Sequence, residues 1–188
     1  MLLLGALGLS LVVGVLRGGR IAPLAAQRWR GGLLPFLAVG VQVAAFWVDE
    51  SATMGSRAFA AMMHADSYLL LLAFIWLNRQ TPWAWLVGLG LVANAAVILL
   101  NGGFMPSAPG VLLPGTPGVE AAERGIVNNI ALMGPQTRLG FLADRFRIPD
   151  WIGLRRAFSI GDFMLAVGAF ALVQRLMRPA ATYRGDMT

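Results

Sequence analysis

The sequence predicts an all-α integral membrane protein, a bundle of about five transmembrane helices with one long exterior segment. Three observations carry this. Of the 188 residues, 57% are hydrophobic and 13% charged, with a mean hydropathy of +0.69, whereas a soluble domain is about 45–50% apolar and about 25% charged. The apolar residues fall in runs close to the ~20 needed to cross a ~30 Å hydrocarbon core. The basic residues, all arginine, gather at the edges of those runs. Such a composition argues against a water-soluble globule and against intrinsic disorder, so the chain is read as one membrane domain, residues 1–188.

The first span, residues 1–16, is short and uncharged. A secretory signal has a basic region ahead of its apolar core. Here arginines follow the core, so the segment reads as an uncleaved span with its amino terminus outside. The second span, 31–48, carries Gln42, and the third, 57–77, holds His64, Asp66 and Ser67 in its first half. The fourth, 83–100, contains Asn94 and ends at Asn101; the fifth, 158–177, has Asp162 near its start and Gln174 near its finish. Gly88-Leu89-Gly90 reads as a place where a second helix approaches closely. Arginine biases loops toward the cytoplasm. Arg17, Arg20, Arg28 and Arg30 mark the first loop, and Arg178 and Arg184 the tail, which places the carboxyl terminus inside. Tryptophans at 29, 47, 76, 83, 85 and 151 fall near span ends or in loops, as an interfacial belt requires.

The segment 102–157 then lies outside. Pro106 to Gly118 reads as a turn-rich linker, neither strand nor helix. Val119, Ala122, Ile126, Ile130 and Met133 keep helical spacing, as do Leu139, Leu142, Ala143 and Phe146, which predicts two short helices lying in the interface plane.

Several function classes drop out. With no cysteine and one histidine, thiol chemistry and a metal site are not expected, and no cofactor motif is present. The positive charge serves topology, and no basic cluster faces a stacking surface, so nucleic acid is not an expected partner. The expected partners are the lipid bilayer and other membrane subunits, or a second copy of the chain.

Polar groups inside hydrocarbon are costly and are functional candidates by default. His64, Asp66, Asn101, Asp144, Asp150 and Asp162 all fall in the outer half of this topology. Each has a structural alternative. Ser159 and Asp162 fit a helix cap and its dipole, Asn94 fits a tie between helices, and His64 and Asp66, two apart, point to different faces. Two neighbouring carboxylates in a poorly solvated cleft would instead split their pKa values and share a proton.

The run Leu16-Arg17-Gly18-Gly19-Arg20, the Asn101-Gly102-Gly103-Phe104-Met105-Pro106 turn, Leu142-Ala143-Asp144 and Phe158-Ser159-Ile160-Gly161-Asp162 together resemble the bacterial domain-of-unknown-function 5317 family. That resemblance covers nearly the whole chain. It implies a small multi-pass membrane protein of the bacterial cytoplasmic membrane, and it points to Asp144 and Asp162 ahead of Asp150. A local resemblance adds chemistry. Gly140 to Arg145, Pro149-Asp150-Trp151 and the Phe158 to Asp162 element are similar in order to the carboxyl-terminal half of lipoprotein signal peptidase. It implies an aspartyl dyad of Asp150 and Asp162, with Asp144 and Arg145 in support; because the first resemblance favours Asp144, the candidate acids are Asp144, Asp150 and Asp162, with Arg145 and Asn101 as supporting residues. The intervals between the acids are shorter here, and Ser159 and Gly161 stand where that family has Asn and Ala.

Three functions are therefore expected, in this order: a non-catalytic accessory subunit, an intramembrane aspartyl hydrolase at the outer leaflet, and a proton or ion relay through His64, Asp66 and Asp162.

Overall fold

The computed structural model describes residues 2–45, 54–111, 130–149 and 157–178. The chain is mostly helical, and its long helices coincide with the apolar runs: α1 (Leu2–Leu16), α3 (Leu34–Ala45), α4 (Met54–Leu77), α5 (Ala84–Leu100) and α6 (Ile160–Met177), with a single turn α2 (Ala22–Ala25) after α1. Ala58–Leu77 and Ile160–Met177 are long and apolar enough to cross a membrane; α1, α3 and α5 are shorter apolar helices.

The main helix contacts run in the order α1, α6, α5, α4, α3. The bundle is thus a row with α1 and α3 at its two ends. Where α5 and α6 meet, bulk is missing on both sides. A Cβ on Gly90 would sit 2.6 Å from the Gly161 carbonyl oxygen, and one on Gly161 would overlap the Asn94 side chain. Gly88, by contrast, faces Ile75 of α4. The pair read as a packing element therefore serves two neighbours.

Polar side chains inside the row tie adjacent helices together. Gln174 of α6 donates to the Ser10 carbonyl and hydroxyl oxygens on α1, and the Ser10 hydroxyl donates to the Phe170 carbonyl at 2.8 Å. Gln42 of α3 donates to Ser67 of α4 at 3.0 Å, and Ser67 donates to the His64 carbonyl at 2.7 Å.

Helix polarity puts the α1–α3 connection, the α4–α5 turn and the end of α6 together at one end of the row. There the Arg20 amide donates to the Met177 carbonyl at 2.9 Å. Asn78 accepts from the Arg30 amide at 3.0 Å and donates to the Arg30 and Phe74 carbonyls at 2.8 Å. Arg17, Arg20, Arg28, Arg30, Arg79, Arg175 and Arg178 belong to this end, and no acid does among the described residues. Trp29, Trp76, Trp83 and Trp85 lie here too, with the Arg79 guanidinium 4.7 Å from the Trp76 ring centroid. Trp47 and Trp151 lie outside the described residues.

The opposite end differs from expectation. Of the first expected interfacial helix, Val119, Ala122 and Ile126 lie outside the described residues, and the described remainder is not helical; nor is the second stretch an α-helix. β1 (Met105–Ser107) pairs in parallel with β2 (Ile130–Leu132), inside the stretches read as linker and as helix. Pro106 argued against a strand, yet β1 needs only its carbonyl, which accepts from the Asp144 amide at 2.9 Å. The second expected helix is a 3-10 turn, Gly140–Leu142, followed by β3 (Phe146–Arg147), which pairs antiparallel with β4 (Ala157–Phe158). Leu139 stands at φ +51°, outside the right-handed helical region, and so ends any helical run there. Its spacing-matched apolar residues do converge, but on protein. Leu139 and Leu142 pack against Val97, Ile98, Met105 and Ala143, while Phe146 stacks on Phe158 at 5.5 Å between ring centroids.

Candidate functional site

The antiparallel pair β3–β4 is what joins the acids. Phe146 lies opposite Phe158, so Asp144, two residues before one, and Ser159 to Asp162, just after the other, emerge on the same side of the fold. β1 fixes Asp144 from the other flank, where the Ala108 amide donates to its carbonyl at 2.8 Å.

Asp162 is the third residue of α6 and completes a capping box. Its amide donates to Ser159 Oγ at 2.9 Å, and its carboxylate accepts from the Ser159 amide at 3.3 Å. The reading of Ser159 as a cap and of Asp162 as a dipole partner holds. Asn94, expected as a tie between helices, is that and more. Its amide donates to Asp162 Oδ1 at 2.7 Å while its carbonyl oxygen accepts from the Ser159 hydroxyl at 2.9 Å. Asn94 and Ser159 are buried, 3% and 0% exposed.

Asp144 is half-buried, and its carboxyl pKa is pushed up to about 7, first by burial and then by the charge of Asp162. The facing Ser107 hydroxyl opposes this weakly. Neither Ser107 Oγ nor Asp144 Oδ1 completes a well-formed hydrogen bond, although both are buried atoms. Orphaned buried oxygens of this kind call for a water or a ligand group. Tyr68 of α4 closes the cluster, since it packs against the apolar group of Val97, Ile98, Met105 and Ala143 while its phenol faces Asn94 and both carboxylates.

A cavity of about 230 Å³ opens beside Asp162, lined by Leu2, Leu3, Ile148, Phe158 and Leu165. Apart from the carboxylate its named lining is apolar. Among the described residues no group of three or more His, Cys, Asp or Glu could hold a metal ion.

The residues predicted as a site therefore separate. Asp144 and Asp162 come together, and Asp150 lies outside the described residues. Asn101 was expected to support the acids. It is a clamp instead, accepting from the Arg138 amide at 2.9 Å and donating to the Arg138 and Val97 carbonyls at 2.8 and 2.7 Å. Arg145 is exposed, with no hydrogen bond or ion pair among the described residues. The relay residues also part company, for His64 is buried at 2% exposure while Asp66 faces outward. Sequence reasoning missed Tyr68 and Ser107. The only signal for Tyr68 was a hydroxyl inside an apolar run, and Ser107 was hidden in a stretch read as linker.

A mostly helical protein with arginines at one end and a buried polar cluster around two carboxylates at the other is the class this geometry defines. The chain belongs to the family of unknown function DUF5317, which matches residues 29–174. No curated protein and no solved structure matches it.

Proposed function

We propose that the chain is a five-span protein of the bacterial cytoplasmic membrane, amino terminus outside, serving as a non-catalytic subunit that packs against other membrane proteins. The observation that carries this reading is the open row of apolar helices. Only 17% of the Ala58–Leu77 stretch is buried, and large apolar side chains such as Leu16, Leu33, Phe36 and Trp76 are each more than 60% exposed. In water so much apolar surface would drive aggregation; in a bilayer it is the normal exterior. The arginine end then belongs in the cytoplasm. Purification from the native membrane in mild detergent is expected to return stable companion chains, and repeated recovery of the 20.1 kDa chain alone would contradict the subunit role.

A second reading is favoured by the convergence of Asp144 and Asp162. With the Asp144 carboxyl pushed up to about 7 by burial and by the neighbouring Asp162, the pair fits aspartyl-type hydrolysis of an amphiphile entering the apolar cavity. Asp144 would donate its proton to the scissile carbonyl while Asp162 takes a proton from the attacking water. Cleavage of a lipopeptide that is abolished by either Asp144→Asn or Asp162→Asn would establish it, and cleavage surviving Asp162→Asn would end it.

A further inference from the structure

Nearly every polar side chain within the long helices has an internal use. Ser10 pairs with Gln174, Gln42 with Ser67, and Asn94 with Asp162 and Ser159. Away from the helix ends, Asp66 is the exception among the described residues. It is exposed, and among the described residues no hydrogen bond or ion pair reaches it. Within the apolar stretch Ala58–Leu77 it stands about 12 Å from one end and about 16 Å from the other at ~1.5 Å per residue, close to mid-bilayer depth for a spanning α4.

Its neighbours on that face are ordered. Phe59, Met62, Asp66, Leu69, Ala73 and Trp76 are all exposed and recur at steps of three and four residues, the spacing of a helix–helix seam. By contrast, the exposed positions of α1, α3, α5 and α6 are apolar as far as their last turns. A lipid-facing surface has no use for a carboxylate, whereas a seam with one polar position in its middle fixes register and partner.

We infer that this face of α4 docks the membrane span of a second protein carrying an arginine or lysine at mid-bilayer depth. Among its described residues a second copy of this chain offers no such group, because the arginines there lie at the helix ends or outside the helices and His64 is buried. Charge complementarity therefore selects a basic span as occupant. This inference rests on the subunit reading and names the chemistry of the partner.

The test uses the full chain in phosphatidylethanolamine–phosphatidylglycerol vesicles with a fluorescent leucine–alanine span of about 20 residues. One version of the peptide has arginine at its centre and the other leucine. Energy transfer is expected to report binding of the arginine peptide at least about tenfold tighter to the native chain than to Asp66→Asn, with Asp66→Glu retaining the preference and the leucine peptide showing none. Equal binding to native and Asp66→Asn chains overturns the inference, and so does self-association of the chain that depends on Asp66. Either result leaves the subunit reading intact if companion chains still copurify. A chain that fails to insert into the vesicles removes both.

Discussion

The two ends of the helix row use one device for opposite purposes. At the arginine end Asn78 grips the backbone of Arg30 by accepting from its amide and donating to its carbonyl. At the other end Asn101 does the same to Arg138. Each also donates to the carbonyl four residues before it, so each closes a helix and pins a loop with a single amide. At the arginine end the pinned loop is short, basic and without acids among the described residues. At the far end, the pinned segment adjoins β1–β2 and β3–β4, which bring two half-buried carboxylates near enough for the charge of one to act on the other. Anchoring a loop is thus common to both ends, and among the described residues the far end alone also gathers carboxylates beside strands.

The far end is most sensitive at the start of α6. Asp162→Ala removes the capping box and strands the buried Asn94 amide, for an expected loss of about 3 kcal/mol in detergent-solubilised unfolding. A loss under about 1 kcal/mol would mean that Asn94 and Ser159 re-pair without it. The clamps come next. Asn78→Ala and Asn101→Ala are each expected to cost about 2 kcal/mol, the former more because Asn78 is buried. If only one of them matters, the two ends are not equivalent.

Asp144 sharpens the contrast through pH. Its folded pKa is raised from 3.8 to about 7, so between those values the folded chain holds a proton that the unfolded chain has released. Its contribution is full below pH 4 and is lost as pH rises through 7, on the order of 2–4 kcal/mol. Melting of the native chain relative to Asp144→Asn should therefore fall between pH 4.5 and 8, and a flat difference would remove the buried acid from the account. Least affected is Arg145→Ala, expected within about 0.5 kcal/mol because the side chain is exposed.

How much of this was legible depends on the solvent each residue meets. The helices were readable because uninterrupted apolar runs have few alternatives, and the arginines marked their ends. The segment around Pro106 and Leu139 was not, because its apolar residues repeat at helical spacing while packing on Ile98 and Phe158 through turns and two- or three-residue strands. Of the site, Asp144 and Asp162 were recognisable as acids too near apolar sequence to be idle. Tyr68 and Ser107 were not, since only strand pairing and helix contact reveal that both face Asp144. The outward direction of Asp66 was equally hidden, because one sequence does not say which face of a helix its neighbours cover.

The proposed subunit needs acyl chains around its helix row and its arginine end in the cytoplasm. Because the chain has no cysteine, single-cysteine variants report this directly. Ala26→Cys lies at the arginine end and Gln136→Cys at the other, both at exposed positions. A membrane-impermeant maleimide applied to intact spheroplasts should label Gln136→Cys alone, with Ala26→Cys reacting only after lysis. The reverse pattern, or release of the chain from the membrane by alkaline carbonate, would contradict it.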